Sequence, residues 1–308
     1  MSQTVQAVPS KRSLPLLPVL TALVVTSGLA VLAVQLYRRP REMVNNVVRV
    51  GMFLSGMREA TCDIDGLPLH YYYAGRSGTP IVFIHGLGSS AEVWAAVMAQ
   101  LSHRFRVYAP DMPGHGTTPL APEGTDIRTN VYYLKRFLDK LGLTRVTLVG
   151  NSLGGWIATR FAVDFPESLR NLYLLNSAGL IRENFNSPYA TNRTEARRAF
   201  ANIVGYAVPL PGFLLDAVVR TSQMPAFAGF IQNYNAQEDL DAVLAQVQAP
   251  TTIIWGVRDG LFPIVCANDL HSGIANSELI LLKGVGHVPQ AQAPFRVARI
   301  IAEHEQSV

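Results

Sequence analysis

The chain has few of the features that mark metalloproteins, disulfide scaffolds or repeat proteins. Its 308 residues include only two cysteines, Cys62 and Cys266, and no cysteine and histidine spacing typical of a metal site. We therefore expect no metal and no cofactor. Two cysteines do not decide the redox compartment. The sequence also contains no internal repeat and no low-complexity tract, which argues against a repeat architecture.

The chain has no net positive charge outside its N-terminal region. Residues 1–60 carry seven Lys and Arg against two Asp and Glu, a net charge of +5, whereas residues 61–308 carry a net charge of −1. The chain has no basic face of the kind that binds phosphodiester backbones, so we expect no nucleic-acid partner. The local positive charge instead favours contact with anionic lipid head groups.

The stretch from Leu14 to Tyr37 has no charged side chain. A membrane-spanning helix needs about 17–25 apolar residues, so residues 14–37 are predicted to form a transmembrane anchor after an N-terminal tail at 1–13. A cleaved signal peptide is the alternative, with Val31-Leu32-Ala33 as a weak cleavage site. More arginines follow the segment than precede it, which leans towards a cytoplasmic catalytic domain but leaves the membrane face open.

Apolar residues recur at helical spacing directly after this segment. Residues 38–60 are therefore predicted to form an amphipathic juxtamembrane helix that rests on the membrane surface. An additional helix packed on the following domain is the alternative.

Apolar runs and helical patterns alternate through residues 61–308. We expect strands near residues 69–73, 81–84, 106–109, 146–150, 171–176, 252–256 and 279–282, and helices near 90–101, 130–141, 156–164, 266–274 and 294–305. This alternation predicts one α/β domain with a mostly parallel sheet covered by helices on both faces. Residues 180–248 lack a clear strand and are rich in apolar residues, which favours a helical cap over the site, with extra core helices as the alternative.

The motif Gly150-Asn151-Ser152-Leu153-Gly154 lies between a predicted strand and a predicted helix. A strand, G-x-S-x-G and a helix form a nucleophile elbow, in which a tight turn exposes the serine hydroxyl. Glycine is required because a Cβ at the flanking positions would meet neighbouring backbone. Ser152 is therefore the predicted catalytic nucleophile.

A serine nucleophile requires a base and an orienting carboxylate. Downstream of Ser152, His287 follows a predicted strand in a glycine-rich turn, whereas His271 and His304 lie in polar helical segments. Asp259 follows the strand that ends at Gly256. Catalytic residues of open α/β sheets collect at the carboxyl ends of strands, so Asp259 and His287 are the predicted acid and base.

An oxyanion hole is predicted after the apolar strand that ends at Ile84. The loop begins with His85-Gly86-Leu87-Gly88, in which the glycines let the backbone approach a substrate carbonyl. We expect the N–H groups of Leu87 and Leu153 to form the hole and Gly86 to contact substrate. The cap residues that bind substrate are not identified by any motif.

These motifs resemble those of the α/β-hydrolase superfamily from about Leu69 to the C-terminus. The single anchor, Asp111-Met-Pro-Gly-His115 and Gly150-Asn-Ser-Leu-Gly-Gly155 are similar to membrane-anchored monoacylglycerol lipases of the α/β-hydrolase-domain-6 type and to related bacterial lipases. The resemblance implies a Ser152–His287–Asp259 triad and a monoacylglycerol or other lipid-like ester as substrate.

Two other functions fit part of the pattern. Carbon–carbon bond hydrolases of aromatic ring-fission products have a similar elbow, but commonly carry tryptophan after the catalytic histidine, where this chain has Val288. An inactive hydrolase fold that acts as a membrane scaffold is the third interpretation, although such proteins usually lose a triad residue. The oligomeric state is not indicated by the sequence.

Overall fold

The computed structural model describes residues 38–182, 186–237 and 239–305. The predicted tail at 1–13 and anchor at 14–37 lie outside these residues. Within the described part of the chain, no helix combines the length and the apolar character needed to cross a bilayer.

The domain is built on a sheet of eight strands. These are β1 (Arg58–Ile64), β2 (Leu67–Ala74), β3 (Pro80–Ile84), β4 (Arg106–Pro110), β5 (Val146–Asn151), β6 (Leu169–Leu175), β7 (Thr251–Gly256) and β8 (Ser277–Leu282), in the order β1-β2-β4-β3-β5-β6-β7-β8. β2 runs antiparallel to β1 and β4, and the remaining pairs are parallel. The carboxyl ends of β3, β5, β6, β7 and β8 therefore meet at one edge.

Burial explains which strands the sequence revealed. β3, β5 and β7 are buried along their whole length, and their unbroken apolar runs are typical of parallel strands covered on both faces. β1 was missed. It is a polar, largely exposed edge strand of sequence Arg-Glu-Ala-Thr-Cys-Asp-Ile, whose first residues fell inside the predicted juxtamembrane helix.

Helices cover both faces of the sheet. They are α1 (Pro40–Leu54), α2 (Ala95–Leu101), α3 (Ile127–Lys140), α4 (Leu153–Asp164), α5 (Arg193–Val204), α6 (Gly212–Ser222), α7 (Pro225–Gln232), α8 (Ile264–Gly273), α9 (Pro289–Gln292) and α10 (Pro294–His304). One apolar core lies between the sheet and α3, α4 and α8, and a second lies between the sheet and α2 and α10. The structure therefore has the predicted α/β layers.

The helix predicted over residues 38–60 is shorter in the structure. α1 begins at Pro40, where proline suits the first turn, and ends at Leu54, before Gly56 at φ +80°. It packs on the second core through Met52 and Val48. One side of α1 thus packs on the domain, while its opposite side exposes apolar side chains.

The block between β6 and β7 is helical, as predicted for residues 180–248. It contains α5, α6 and α7, followed by 3₁₀ turns at 234–236, 240–242 and 244–246. Two backbone hydrogen bonds connect α5 to the loops that follow β7 and β8. His287 N donates to Ile203 O at 2.7 Å, and Gly260 N donates to Asn202 O at 2.9 Å. These helices thus lie over the ends of the strands that carry the predicted site.

Candidate active site

Ser152 sits in a strained turn between β5 and α4. Its φ of +57° and ψ of −120° lie in a region that L-residues rarely adopt. A Cβ on Gly150 would lie 2.2 Å from Gly154 O, and a Cβ on Gly154 would lie 2.1 Å from Ile84 O. Both positions therefore require glycine, as the motif predicted. The turn holds Ser152 at the N-terminus of α4, where free N–H groups favour negative charge.

Neighbouring backbone fixes the turn from the β6 side. Ser152 N donates to Leu175 O at 3.2 Å, and Ser152 O accepts a hydrogen bond from Ala178 N at 3.0 Å. The serine position is thus set by two adjacent strand ends rather than by a mobile loop.

Asp259 and His287 form a buried pair. His287 Nδ1 lies 2.8 Å from Asp259 Oδ2, and their side chains are 5% and 1% exposed. Asp259 Oδ1 accepts hydrogen bonds from Leu261 N at 2.8 Å and from Phe262 N at 3.1 Å. Because two backbone N–H groups hold Asp259 Oδ1, the carboxylate is oriented so that Oδ2 accepts a hydrogen bond from the Nδ1–H group of His287. This leaves Nε2 of the imidazole available as a base.

Asn176 is a further contact of the Asp259 carboxylate that the sequence did not reveal. Its Nδ2 donates to Asp259 Oδ2 at 2.7 Å, and its Oδ1 accepts from Gly256 N at 2.9 Å. The residue has φ +40°, which places the amide between the ends of β6 and β7. In the sequence, this contact could have been sought at Asn176 because it is a polar residue directly after the buried strand β6.

Asn151 and Gln290 hold the backbone of the histidine. Asn151 Nδ2 donates to His287 O at 3.0 Å and to Leu175 O at 2.9 Å, and its Oδ1 accepts from Gln290 Nε2 at 2.8 Å. This buried amide pair connects the residue before Ser152 to the loop that carries His287. Neither amide was predicted as a site residue.

The predicted oxyanion loop runs beside Ser152. A Cβ on Gly86 would lie 3.1 Å from Ser152 Cβ, so the loop passes close to the nucleophile. Gly88 has φ +69°, and a Cβ there would lie 2.6 Å from the Phe227 ring of α7. Among the described residues, no hydrogen bond is donated by the N–H of Leu87 or of Leu153. Both donors are therefore open for a substrate oxygen.

Two buried residues anchor this loop from behind. His85 Nε2 accepts a hydrogen bond from Met112 N at 3.0 Å, which holds the start of the loop against the segment that follows β4. Asp111 accepts hydrogen bonds from Ala91 N at 2.8 Å and from His70 Nδ1 at 2.9 Å. Burial alone would raise the pKa of Asp111, but the His70 hydrogen bond and the other donors hold it below its ordinary value.

A cavity of about 730 Å³ opens above these groups. Ser152 and His287 lie in its wall together with Gly86, Leu87 and Leu153. The cap contributes apolar side chains, which are Phe200, Ile203, Leu210, Leu214, Val218, Phe227 and Phe230. The described lining includes no Lys or Arg. Within the described residues, no cluster of His, Cys, Asp and Glu could hold a metal ion.

The chain matches the family model for the alpha/beta hydrolase fold over residues 79–207. It is 31% identical over 246 residues to a 2-hydroxy-6-oxo-2,4-heptadienoate hydrolase of Pseudomonas putida, covering 73% of this chain and 88% of that protein. It is 26% identical over 267 residues to monoacylglycerol lipase ABHD6 of Mus musculus, covering 77% and 79% of the two chains.

Among solved structures, a bacterial membrane phospholipase A superposes with a TM-score of 0.78 at 24% identity, over 94% of this chain and 99% of that chain. This likeness concerns the fold alone. Together the matches show that the chain belongs to the α/β-hydrolase family. Its relatives include both a lipase and a carbon–carbon bond hydrolase, so family membership supports a hydrolase without selecting the bond that is cleaved.

Proposed function

We propose that this protein is a serine carboxylic-ester hydrolase that acts on lipid-like esters, with monoacylglycerols as the leading candidates. The observation that carries the proposal is a largely apolar cavity whose wall contains both Ser152 and His287, with His287 hydrogen-bonded to the buried Asp259. An acyl chain fits a cavity whose wall includes many leucine, valine and phenylalanine side chains.

In this mechanism His287 removes the Ser152 proton as Oγ attacks the ester carbonyl. The Leu87 and Leu153 N–H groups stabilise the oxyanion. His287 then protonates the leaving alcohol, and a water molecule, activated by the same histidine, hydrolyses the acyl-enzyme. Asp259 keeps the imidazole in the required tautomer and stabilises its charged form.

Cleavage of a carbon–carbon bond in a ring-fission product is the second candidate, because the Pseudomonas relative is named for such a substrate. That substrate carries a carboxylate. The described lining of the cavity has no Lys or Arg to pair with it. An uncharged ester therefore fits the cavity better, because a carboxylate there would be desolvated without a partner.

Hydrolysis assays distinguish these candidates. We expect turnover of monoacylglycerols of several chain lengths, no turnover of a ring-fission diketone acid, and loss of activity in Ser152→Ala. Preferred cleavage of the diketone acid would replace the ester proposal. Absence of any Ser152-dependent turnover would support an inactive scaffold.

We further propose that residues 14–37 anchor the protein in a membrane, with the hydrolase domain on the cytoplasmic face. The uncharged run and the arginines that follow it support this topology. Full-length protein should resist extraction from membranes by alkaline carbonate, whereas deletion of residues 1–37 should allow that extraction while hydrolysis of a short soluble ester continues. Resistance of the deletion variant to carbonate would contradict the anchor. Protection of the full-length domain from protease in sealed vesicles would distinguish the two faces.

A further inference from the structure

The N-terminal helix α1 forms part of the wall of the catalytic cavity. Val44 and Val48 of α1 line the same cavity as Ser152, although more than 100 residues separate them in sequence. On the cap side, α6 faces this region with Leu214 and Val218. On this side the cavity is therefore lined both by a helix of the cap and by the helix that follows the uncharged N-terminal segment.

A partly buried ion pair fixes α1 to the domain. Arg49 Nε donates to Glu92 Oε1 at 3.0 Å, and Tyr72 OH donates to the same oxygen at 3.3 Å. Glu92 is buried in the 3₁₀ turn that follows the predicted oxyanion loop. Met52 is fully buried beneath the helix. Helix α1 is therefore packed firmly on the domain, so its contribution to the cavity wall is a fixed one.

An apolar ridge runs along α1 away from the cavity. It consists of Val44, Val47, Val50 and Leu54, which recur every three or four residues and are between 53% and 78% exposed, with Phe53 beside them at 75%. Val44 belongs both to the ridge and to the cavity wall. The ridge therefore begins at the mouth of the cavity.

A lipid leaflet is the occupant that fits this ridge. The helix begins three residues after the 24-residue uncharged segment 14–37, and the exposed Arg38 and Arg39 lie at the junction. Apolar side chains next to cationic ones match the boundary between acyl chains and anionic head groups.

We propose that the acyl chain of a lipid ester passes from the membrane leaflet to Ser152 between α1 and α6, along Val44 and Val48. The ridge on α1 holds the cavity mouth against the leaflet. Val44 and Val48 then select for long acyl chains, because they line the path that such chains occupy. This inference rests on the proposed ester hydrolase function.

The first test compares full-length variants on monooleoylglycerol in phosphatidylcholine–phosphatidylglycerol vesicles and on soluble p-nitrophenyl butyrate. Val48→Trp should narrow the mouth and lower the ratio of long-ester to short-ester activity about ten-fold. Val44→Trp, at a half-exposed position, provides the same test should Val48→Trp not fold. Asn46→Trp places the same ring on an exposed part of α1 outside the cavity and should leave the ratio unchanged.

The second test replaces exposed apolar side chains of α1 with aspartate. Phe53→Asp combined with Val50→Asp should lower activity on vesicle-bound monooleoylglycerol about ten-fold, while activity on p-nitrophenyl butyrate and thermal stability are maintained. An unchanged activity ratio in the tryptophan variants, or full vesicle activity in the aspartate variant, would overturn the proposal. A dimer that dissociates in the aspartate variant with vesicle activity unchanged would assign the ridge to a second copy of the chain. Failure of the ester function itself would differ, because the wild type would then hydrolyse neither ester.

Discussion

The elbow around Ser152 and the wall formed by α1 and the cap are held in place in different ways. At the elbow, backbone atoms approach so closely that a single Cβ on Gly154 would lie 2.1 Å from Ile84 O. The wall consists of apolar side chains from segments as distant in sequence as Val44 and Leu214. The proposed chemistry would thus depend on local geometry that tolerates almost no change. The proposed selection of substrate would depend on tertiary packing, which tolerates more gradual change.

The largest expected effect is loss of the base. His287→Gln should lower kcat by about 10⁴-fold, because glutamine cannot act as the base that takes the Ser152 proton. The melting temperature should change little, so a kinetic assay paired with a thermal melt measures the effect. A loss of less than ten-fold would show that the Asp259–His287 pair is structural.

Two glycine substitutions compare how the elbow and helix α1 tolerate an added Cβ. Gly154→Ala should lower the free energy of unfolding by about 3 kcal/mol, because the new Cβ meets backbone that cannot move. Gly51→Ala in α1 has nothing within 4 Å and should raise stability by up to about 1 kcal/mol, since alanine favours a helix. Denaturant unfolding measures the free energy of unfolding of both variants. Equal changes in the two variants would show that the elbow and α1 do not differ in their tolerance of a Cβ.

Asn176→Asp should lower kcat about ten-fold. The substitution replaces the amide that donates to Asp259 Oδ2 with a second carboxyl group, so Asp259 loses a hydrogen bond and gains an unfavourable neighbour. Asn176→Leu removes the hydrogen bond without adding a carboxyl group and should cause a smaller loss of kcat. Steady-state kinetics paired with thermal melts measures both effects. An equal kcat in the wild type and both variants would mean that Asn176 does not act through Asp259.

The smallest effect is expected in the cap wall. Leu214→Ala removes apolar contact from the cavity and should raise KM for long-chain esters several-fold, consistent with about 1 kcal/mol of lost burial. Short esters should be affected less. Leu120→Ala, at an exposed position outside the cavity, is the matched control. An equal KM increase for both chain lengths would place the long chain elsewhere.

The sequence predicted the framework well because buried parallel strands leave unbroken apolar runs. Seven strands and five covering helices lie close to their expected positions, whereas β1 was missed because its polar edge sequence lacks that signal. Ser152, Asp259 and His287 follow three strand ends in the expected order. The structure places Ser152 and His287 in the wall of one cavity, and Asp259 is hydrogen-bonded to His287. Their catalytic roles remain predictions.

The supporting residues were harder to find. Asn176 contacts Asp259 because β6 and β7 are adjacent in the sheet. Local sequence does not predict which strands are adjacent. The role of Val48 in the cavity wall likewise requires α1 to fold back over the catalytic edge. Local motifs thus indicated the chemistry, while side-chain contacts between distant segments required the three-dimensional structure.

Covalent labelling decides whether Ser152 is the nucleophile. A fluorophosphonate probe should modify the wild-type protein on the peptide that contains Ser152, as identified by mass spectrometry. Ser152→Ala should not be labelled, and His287→Gln should be labelled far more slowly. Undiminished labelling of Ser152→Ala would show that another residue is the nucleophile.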